Sequence, residues 1–576
     1  MRPYQRQIAE RIAEIVDPGD LDLSSLFSVP PDSTLGDLAF PCFQLARTLK
    51  EAPPRIAERI AEAAWEFPWL AEVVAAGPYV NFLYDSGAFS RDVLARVIAA
   101  GEAFGTSDVG EGKTVVVEFS SPNIAKHLAV HHLRSTMLGQ VMVNLLRASG
   151  YSVVALNHLG DWGTNFGKLL AAWERYGEEE GLEDSLIETS DDPVALFNKL
   201  YVRINSEIET DPQLEETARA WFRKLEAGDP VARERWQRIR DVSWARFEKV
   251  YKRLGVSFDE VIGESFYEDK MPEIIDELAK TGLLVESEGA EVVALEEEIP
   301  PLLIRKRDGS TLYGTRDLAS AEYRWGRWQF SRALYVVDAG QGLHFRQVFG
   351  VLRRLGRSYA DRLEHTEFGI MRMNVDGQWI KGRTRKGQIV LLEDVLDDAT
   401  ALAREVVLRK NPDLGDSIEE IAEAVGVGAV VFSDMKARRG RDVNFDLEKF
   451  LSFEGETGPY LQYTHVRFCG ILRKSEIDSS DHGDGSLLVE AEEKALLLCL
   501  DRFDTVIARA ALEAEPSILS QYLLDLAGEF NAYYAKHRII SDDGDLTRHR
   551  LSLIDALRVV LSRGLRILCL EPLERM

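Results

Sequence analysis

The chain has 576 residues, 45% hydrophobic and 28% charged, the balance of a globular protein of roughly three or four domains. No apolar run approaches the roughly 18 residues that cross a bilayer, and four scattered cysteines without a CxxC pair argue against a disulfide framework or a structural zinc site. With 69 basic against 95 acidic residues the net charge is −26, which disfavours non-specific polyanion binding and leaves any contact with a nucleic acid to local basic patches.

In chain order, MRPYQRQIAERIAEIV reads as an amphipathic helix and lacks the apolar stretch of a secretory signal, so the cytoplasm is the expected compartment. The region up to about residue 110 mixes helices with short β segments such as AGPYVNFLYD, and the Gly-rich join GTSDVGEGK closes it. A strand over Thr114 to Ser120 follows, then a turn through Ser121, Pro122 and Asn123. A helix from about Leu128 to Ala148 and the strand YSVVALN complete a βαβ unit with a parallel sheet. Charged amphipathic helices fill about 170–290 as an insertion, and strand signals resume at ALYVVDAG, 333–340. From about 395 the pattern is almost wholly helical. The expected architecture is multidomain α/β: an N-terminal α+β domain over 1–110, a parallel-sheet core over 111–394, and an all-α bundle over 395–576.

In an open parallel sheet the chemistry belongs beyond the carboxyl ends of the strands, where helix N-termini meet anions. EFSSPNIAKHLAVHHLRST falls there and carries three of the ten histidines. The next strand ends in NHLGDWGTNFGK, a Gly-dense loop with Asn157, His158 and Asp161. It is not a P-loop, because Lys168 precedes Leu169, and no GxGxxG follows a strand. The plain alternatives are a polar helix start and a Gly-rich turn.

Those two segments, together with LYGTRDLA, VVDAGQGLHFRQVF, TRKGQIVLLEDVL and SFEGETGPYLQYTHVR, resemble in order the signature segments of arginyl-tRNA synthetases, a class I aminoacyl-tRNA synthetase family. GDLAFPCFQLAR, the DALR at Asp555 to Arg558 and the terminal PLERM extend the likeness over nearly the whole chain. The resemblance implies a Rossmann-type catalytic core, an N-terminal add-on domain that contacts the tRNA elbow, and a helical anticodon-binding domain. It implies ATP with Mg2+ as its counter-ion, L-arginine and tRNA(Arg) as partners, no structural zinc, no DNA, no membrane, a monomer, and arginine activation that requires tRNA.

A guanidinium is a planar fork of donors, so its pocket needs carboxylates and amides at fixed angles. The positions matching the family's arginine site are Glu118, Asn123, His158, Tyr313, Asp317 and Gln341. Tyr313 lies four residues before Asp317, so one helical turn would put both on one face. For ATP the resemblance implies Lys126, His132, Gly160, Asp161, Gly163, Thr164, His344 and Lys381. Family members carry His-Val-Gly-His after SPNIAK, where this chain has Ala129-Val130-His131-His132. A lost histidine removes a phosphate donor worth about 2–4 kcal/mol of barrier, and the imidazole at His131 reshapes a place where glycine lets adenine approach. His127 and His131, four apart, are candidates to supply the missing contact beside His132. The second ATP signature reads KGRTRKG, so Lys381 and Lys386 join Lys126 as candidate catalytic cations, the plain alternative being a solvated basic loop. Arg438, Arg439, Tyr460, Gln462, Tyr463 and Arg467 set aromatic groups beside cations, as single-stranded anticodon bases require. A competing reading, a catalytically silent tRNA-binding paralogue, rests on the altered tetrapeptide alone.

Overall fold

The structure is a computed structural model that describes the chain except residues 1–2, 24–25, 31, 33–34, 180–191, 297, 308, 376–377 and 382–389, and the side chains of 3, 373–375 and 378–381. The described residues divide into two compact units. One comprises 108–452 with 514–517; the other joins 1–107 to 453–513 and 518–576.

In the discontinuous unit, β1 (Leu38–Pro41), β2 (Leu70–Ala76) and β3 (Tyr79–Tyr84) form an antiparallel sheet in the order β1-β3-β2. The β2–β3 hairpin pairs Ala76 with Tyr79 across Gly77 and Pro78, and Gly77 takes φ +58, a conformation glycine adopts without steric cost. The helix Pro3–Ile15 fully buries Ile8 and Ile12, which lie one turn apart on its apolar face. The helix Ser86–Ala100 starts on Asp85, whose carboxylate accepts the Ala88 N–H at 2.8 Å. Beyond residue 452 come the helices Gly458–Ser475, Ala491–Asp501, Phe503–Glu513, Ser517–Lys536 and Gly544–Ile567. Charge pairs tie the distant stretches together: Arg96 meets buried Asp501 at 2.7 Å, and Lys494 meets buried Asp37 at 2.7 Å.

The other unit contains β4 (Thr114–Glu118), β5 (Ser152–Asn157) and β6 (Glu260–Val261). An antiparallel sheet of β7 (Leu284–Ser287), β8 (Ala290–Val293) and β9 (Leu302–Arg305) follows, then β10 (Arg332–Tyr335) and β11 (Leu363–His365). Five of these strands form a parallel sheet in the order β11-β10-β4-β5-β6. Val115, Val116 and Val117 are buried on both faces of β4, the unbroken apolar run that a central parallel strand needs. The chain builds outward from β4 to β6 on one side, then returns to β10 and β11 on the other. The order therefore reverses between β4 and β10, and a crevice opens there beyond the carboxyl ends.

The βαβ unit stands as expected, with one shift: its helix spans His132–Ala148 and starts four residues late. Residues 128–130 stay outside the helix, because Ala129 bridges Leu391, the Val130 N–H donates to Val390 O at 3.0 Å and the Leu392 N–H to Leu128 O at 2.9 Å. The helix crosses the sheet so closely that a Cβ on Gly139 would sit 2.1 Å from the Phe119 ring. Fully buried Arg134 pairs with fully buried Asp434 at 2.7 Å and donates to Gly369 O and Arg441 O.

The insertion is built from Pro193–Ile208, Pro212–Glu226 and Pro230–Leu254. Each opens with Asp-Pro: Asp192, Asp211 and Asp229 accept a first-turn N–H, and proline at the start forfeits no hydrogen bond. The sheet resumes earlier than expected, at β6, where the Ile262 N–H donates to Asn157 O at 3.0 Å. Two residues are too few to carry a period. A third small sheet contains β12 (Met371–Val375), β13 (Gln378–Lys381) and β14 (Val443–Phe445), so the region after 395 is not wholly helical. Among the described residues no helix is long and apolar enough to cross a membrane, and all four cysteines are free.

Candidate active site

The loop after β4 is strained. Ser120, Ser121 and Ala125 hold φ of +69, +46 and +62, which costs of order 1–3 kcal/mol per non-glycine residue. Neighbouring elements hold it in place. The Ser120 N–H donates to Ser135 Oγ at 2.9 Å, and Ser120 Oγ lies 2.8 Å from both Thr136 Oγ1 and the Tyr251 hydroxyl. The Ala125 N–H donates to Ser243 Oγ at 2.9 Å. Ser243 and Tyr251 belong to the insertion helix Pro230–Leu254, so that helix buttresses the loop carrying Asn123 and Lys126. From the loop after neighbouring β5, the Gly160 N–H donates to Pro122 O at 3.0 Å. A Cβ on Gly160 would lie 2.0 Å from Asn123 Oδ1, so only glycine permits this approach. Asn123 and Lys126 are exposed.

Tyr313 and Asp317, two of the expected arginine-site residues, are brought together through His344. Tyr313 is the first residue of the helix Tyr313–Trp328, and Asp317 follows one turn on, as their spacing predicts. His344 links them: its Nε2 lies 2.5 Å from Asp317 Oδ2, and its ring is 4.9 Å from that of Tyr313. Glu118, at the end of β4, pairs with buried Arg324 at 2.5 Å. Its carboxylate is therefore not wholly at a substrate's disposal. Arg324 went unremarked in the sequence, although it lies seven residues after Asp317 on the same helical face. His158 is held below the usual imidazole range, first by burial; Glu118, Arg324, Asp317 and Asp161 also act on it. The His158 ring lies 5.7 Å from that of Tyr267. Gln341 is exposed where the turn Ala339–Gln341 meets the helix Gly342–Arg354.

The altered tetrapeptide lies at the start of the His132 helix. His132 Nδ1 lies 2.9 Å from the Ala129 N–H and 3.2 Å from Ala129 O; the shorter contact, with the N–H donating to Nδ1, assigns the ring proton to Nε2. Burial, followed by the neighbouring His131 and Lys126, pushes His132 down to about 3, so it is a neutral N–H donor at working pH. The exposed His131 ring sits 4.1 Å from that of His132. His127 is engaged elsewhere: its Nε2 meets both carboxylate oxygens of Asp192, at 2.8 and 2.9 Å. Lys381 ends β13, and Lys386 lies outside the described residues. Residues 390–392 pair by backbone bonds with 128–130, at the start of the tetrapeptide.

Two expectations need correction. Asp161 is fully buried and occupied: it accepts from the Ser265 N–H at 2.8 Å and the Ser265 hydroxyl at 2.9 Å, with Arg240 at 3.4 Å. It braces the Gly-rich loop and is withdrawn from a nucleotide. Gly163 follows with φ +125, and Thr164 opens the helix Thr164–Tyr176. Gln462 has 0% exposure and donates to Glu571 O at 3.1 Å, so it fastens the C-terminal segment and does not reach RNA bases. Its helix, Gly458–Ser475, also carries Tyr460, Tyr463 and Arg467, all half-buried. The Tyr460 hydroxyl accepts from Asn531 at 2.7 Å, and the Arg467 guanidinium lies 5.2 Å from the Tyr463 ring centre. Arg438, exposed, and Arg439, which donates to Glu367 O at 2.7 Å, belong to the other unit.

Comparison with known proteins gives concordant matches along the chain. A family model described as tRNA synthetases class I (R), catalytic domain, matches residues 94–447; an arginyl tRNA synthetase N terminal domain matches 3–84, and a DALR anticodon binding domain 461–576. An arginine–tRNA ligase of Exiguobacterium sibiricum is 45% identical over 578 residues, covering 100% of both chains. One from Clostridium botulinum is 42% identical over 576 residues, also covering 100% of both. The solved arginyl-tRNA synthetase of Thermus thermophilus aligns over 100% of this chain and 99% of its own, with TM-score 0.82 at 27% identity.

Proposed function

The chain belongs to the arginyl-tRNA synthetase family, and from that premise we propose that it converts ATP, L-arginine and tRNA(Arg) to arginyl-tRNA(Arg), AMP and diphosphate. An arginine carboxylate oxygen attacks the α-phosphorus and diphosphate leaves. The terminal ribose hydroxyl of the tRNA then attacks the carbonyl of the arginyl-adenylate, and AMP leaves.

Asp317 and Glu118 take the substrate guanidinium, with Tyr313 walling the mouth and neutral His158 as a hydrogen-bond partner. Asn123 and Gln341, exposed on the loops after β4 and β10, take the ammonium and carboxylate end. Charge on the α-phosphate and the departing diphosphate falls to the His132 Nε2–H, to His131, and to Lys126, with Lys381 and Lys386 as further cations. His344 orients Asp317, while Gly160, Gly163 and Thr164 keep the backbone close to the nucleotide. Tyr460, Tyr463 and Arg467 offer stacking surfaces to single-stranded bases, and Arg438 and Arg439 offer charge to the RNA backbone. Magnesium enters with ATP. The ATP phosphates would hold the ion.

The observation that carries this reading is that Tyr313 and Asp317 meet His344 on the helix whose Arg324 pairs with Glu118, at the end of the strand where the order reverses. Arginine-dependent ATP–diphosphate exchange, with and without tRNA(Arg), tests it. Exchange that appears only with tRNA is the expected result. No exchange in either condition, with tRNA binding intact, would instead leave a binding module.

A further inference from the structure

Glu118 is offered to the substrate, yet a second guanidinium already sits on it. Arg324 Nη2 lies 2.5 Å from Glu118 Oε2, with side-chain exposures of 1% and 9%. The Arg324 guanidinium stands 5.3 Å from the ring centre of Tyr335, the last residue of β10. Tyr313, Asp317 and Arg324 descend one face of a single helix, at 60%, 26% and 1% exposure. The mouth of the site thus carries an aromatic ring, its middle a carboxylate, and its floor a resident guanidinium. Around that floor, Arg324 Nε and Nη2, the Tyr267 hydroxyl and His158 Nδ1 are buried without an aligned hydrogen bond among the described residues, so the Arg324–Glu118 contact is an ion pair held by proximity of charge.

Building on the proposed arginine activation, we infer that Arg324 is a positioning and specificity-determining residue of the arginine pocket. It engages one oxygen of Glu118 and so aims the other at the incoming guanidinium. It also balances the charge of Glu118 when the site is empty, since a buried carboxylate without a partner is costly. The pocket is then matched to one cation, held between Asp317 and the free oxygen of Glu118. A cation that reached deeper would meet Arg324, which makes the floor repulsive to a longer basic side chain.

The test uses the full-length protein in tRNA-dependent exchange, with KM for arginine and for ATP measured separately. Arg324→Met should raise the arginine KM tenfold or more, leave the ATP KM within twofold, and lower kcat less than threefold, the pattern of lost ground-state binding. Arg324→Lys, which keeps a cation, should recover most of the loss. A double-mutant cycle with Glu118→Gln isolates the link: if Arg324 acts through Glu118, the double variant should match Glu118→Gln within twofold. Should Arg324→Met alone fail to fold, that comparison still decides, because the double variant buries no unpaired charge. An arginine KM unchanged in Arg324→Met, or effects that multiply in the double variant, would overturn the inference. An inactive wild type would instead overturn the activity assigned to the chain.

Discussion

His132 gives the most direct test of how the altered tetrapeptide serves ATP. Its Nδ1 is occupied by the Ala129 N–H and its imidazole is pushed down to about 3, so only about one molecule in a thousand carries the imidazolium at pH 6. The side chain therefore acts as a fixed neutral donor through Nε2–H. Removing one such donor from developing negative charge costs about 2.7–4 kcal/mol, or 10²–10³ in kcat. His132→Ala should show that loss in tRNA-dependent exchange at saturating arginine. His132→Gln, which presents an uncharged N–H at similar reach, should recover to within about tenfold of wild type. The pH arm separates donor from acid. Wild type and His132→Gln should share the same profile from pH 5.5 to 7.5, because His132 does not titrate there. The same low value sets a sign for stability: the unfolded chain binds a proton here below about 6.5 and the folded chain does not. Each unit of acidification from there towards 3 therefore removes about 1.4 kcal/mol, a loss His132→Gln escapes. His132→Ala within threefold of wild type, or an acid limb near pH 6.5 that only the wild type shows, would refute this reasoning.

The two other histidines should separate. His127→Ala should leave exchange within threefold, because its Nε2 is committed to Asp192, whereas His131→Ala should lower it tenfold or more; equal effects would contradict this assignment. Arg134→Met should destabilise the sheet-containing unit by about 3–5 kcal/mol in urea unfolding, since it strands buried Asp434, and adding Asp434→Leu should recover most of that loss. Gly139→Ala should cost about 1–3 kcal/mol and lower the melting temperature, because the new methyl would lie 2.1–2.5 Å from atoms of Phe119.

The site was largely legible in the sequence because its parts are local. The turn after β4, the Gly-rich loop and the Tyr313–Asp317 pair are short segments whose spacing fixes their geometry. What escaped depends on contacts between distant segments. β6 is two residues long and leaves no period. Gln462 and Tyr463 are adjacent on one helix, yet Gln462 points at Glu571 O and is buried, which no composition argument distinguishes. Asp161 looked like a ligand because it stands in a Gly-rich loop, but Ser265, 104 positions away, already fills it. Arg324 hid in the same way: its partner, Glu118, is a long-range neighbour across the sheet.

The discontinuous unit has a consequence for synthesis on the ribosome. Residues 1–107 belong with 453–513 and 518–576, so the first segment emerges about 345 residues before its complement. At roughly 5–20 residues per second that is a wait of some 20–70 s. Throughout it Asp37 and Arg96 stand without Lys494 and Asp501, their eventual partners. The intervening unit, continuous apart from 514–517, has most of its own chain in hand and is free to fold first. The order of maturation then inverts the order of the chain: the middle closes before the beginning, and the beginning waits for the end.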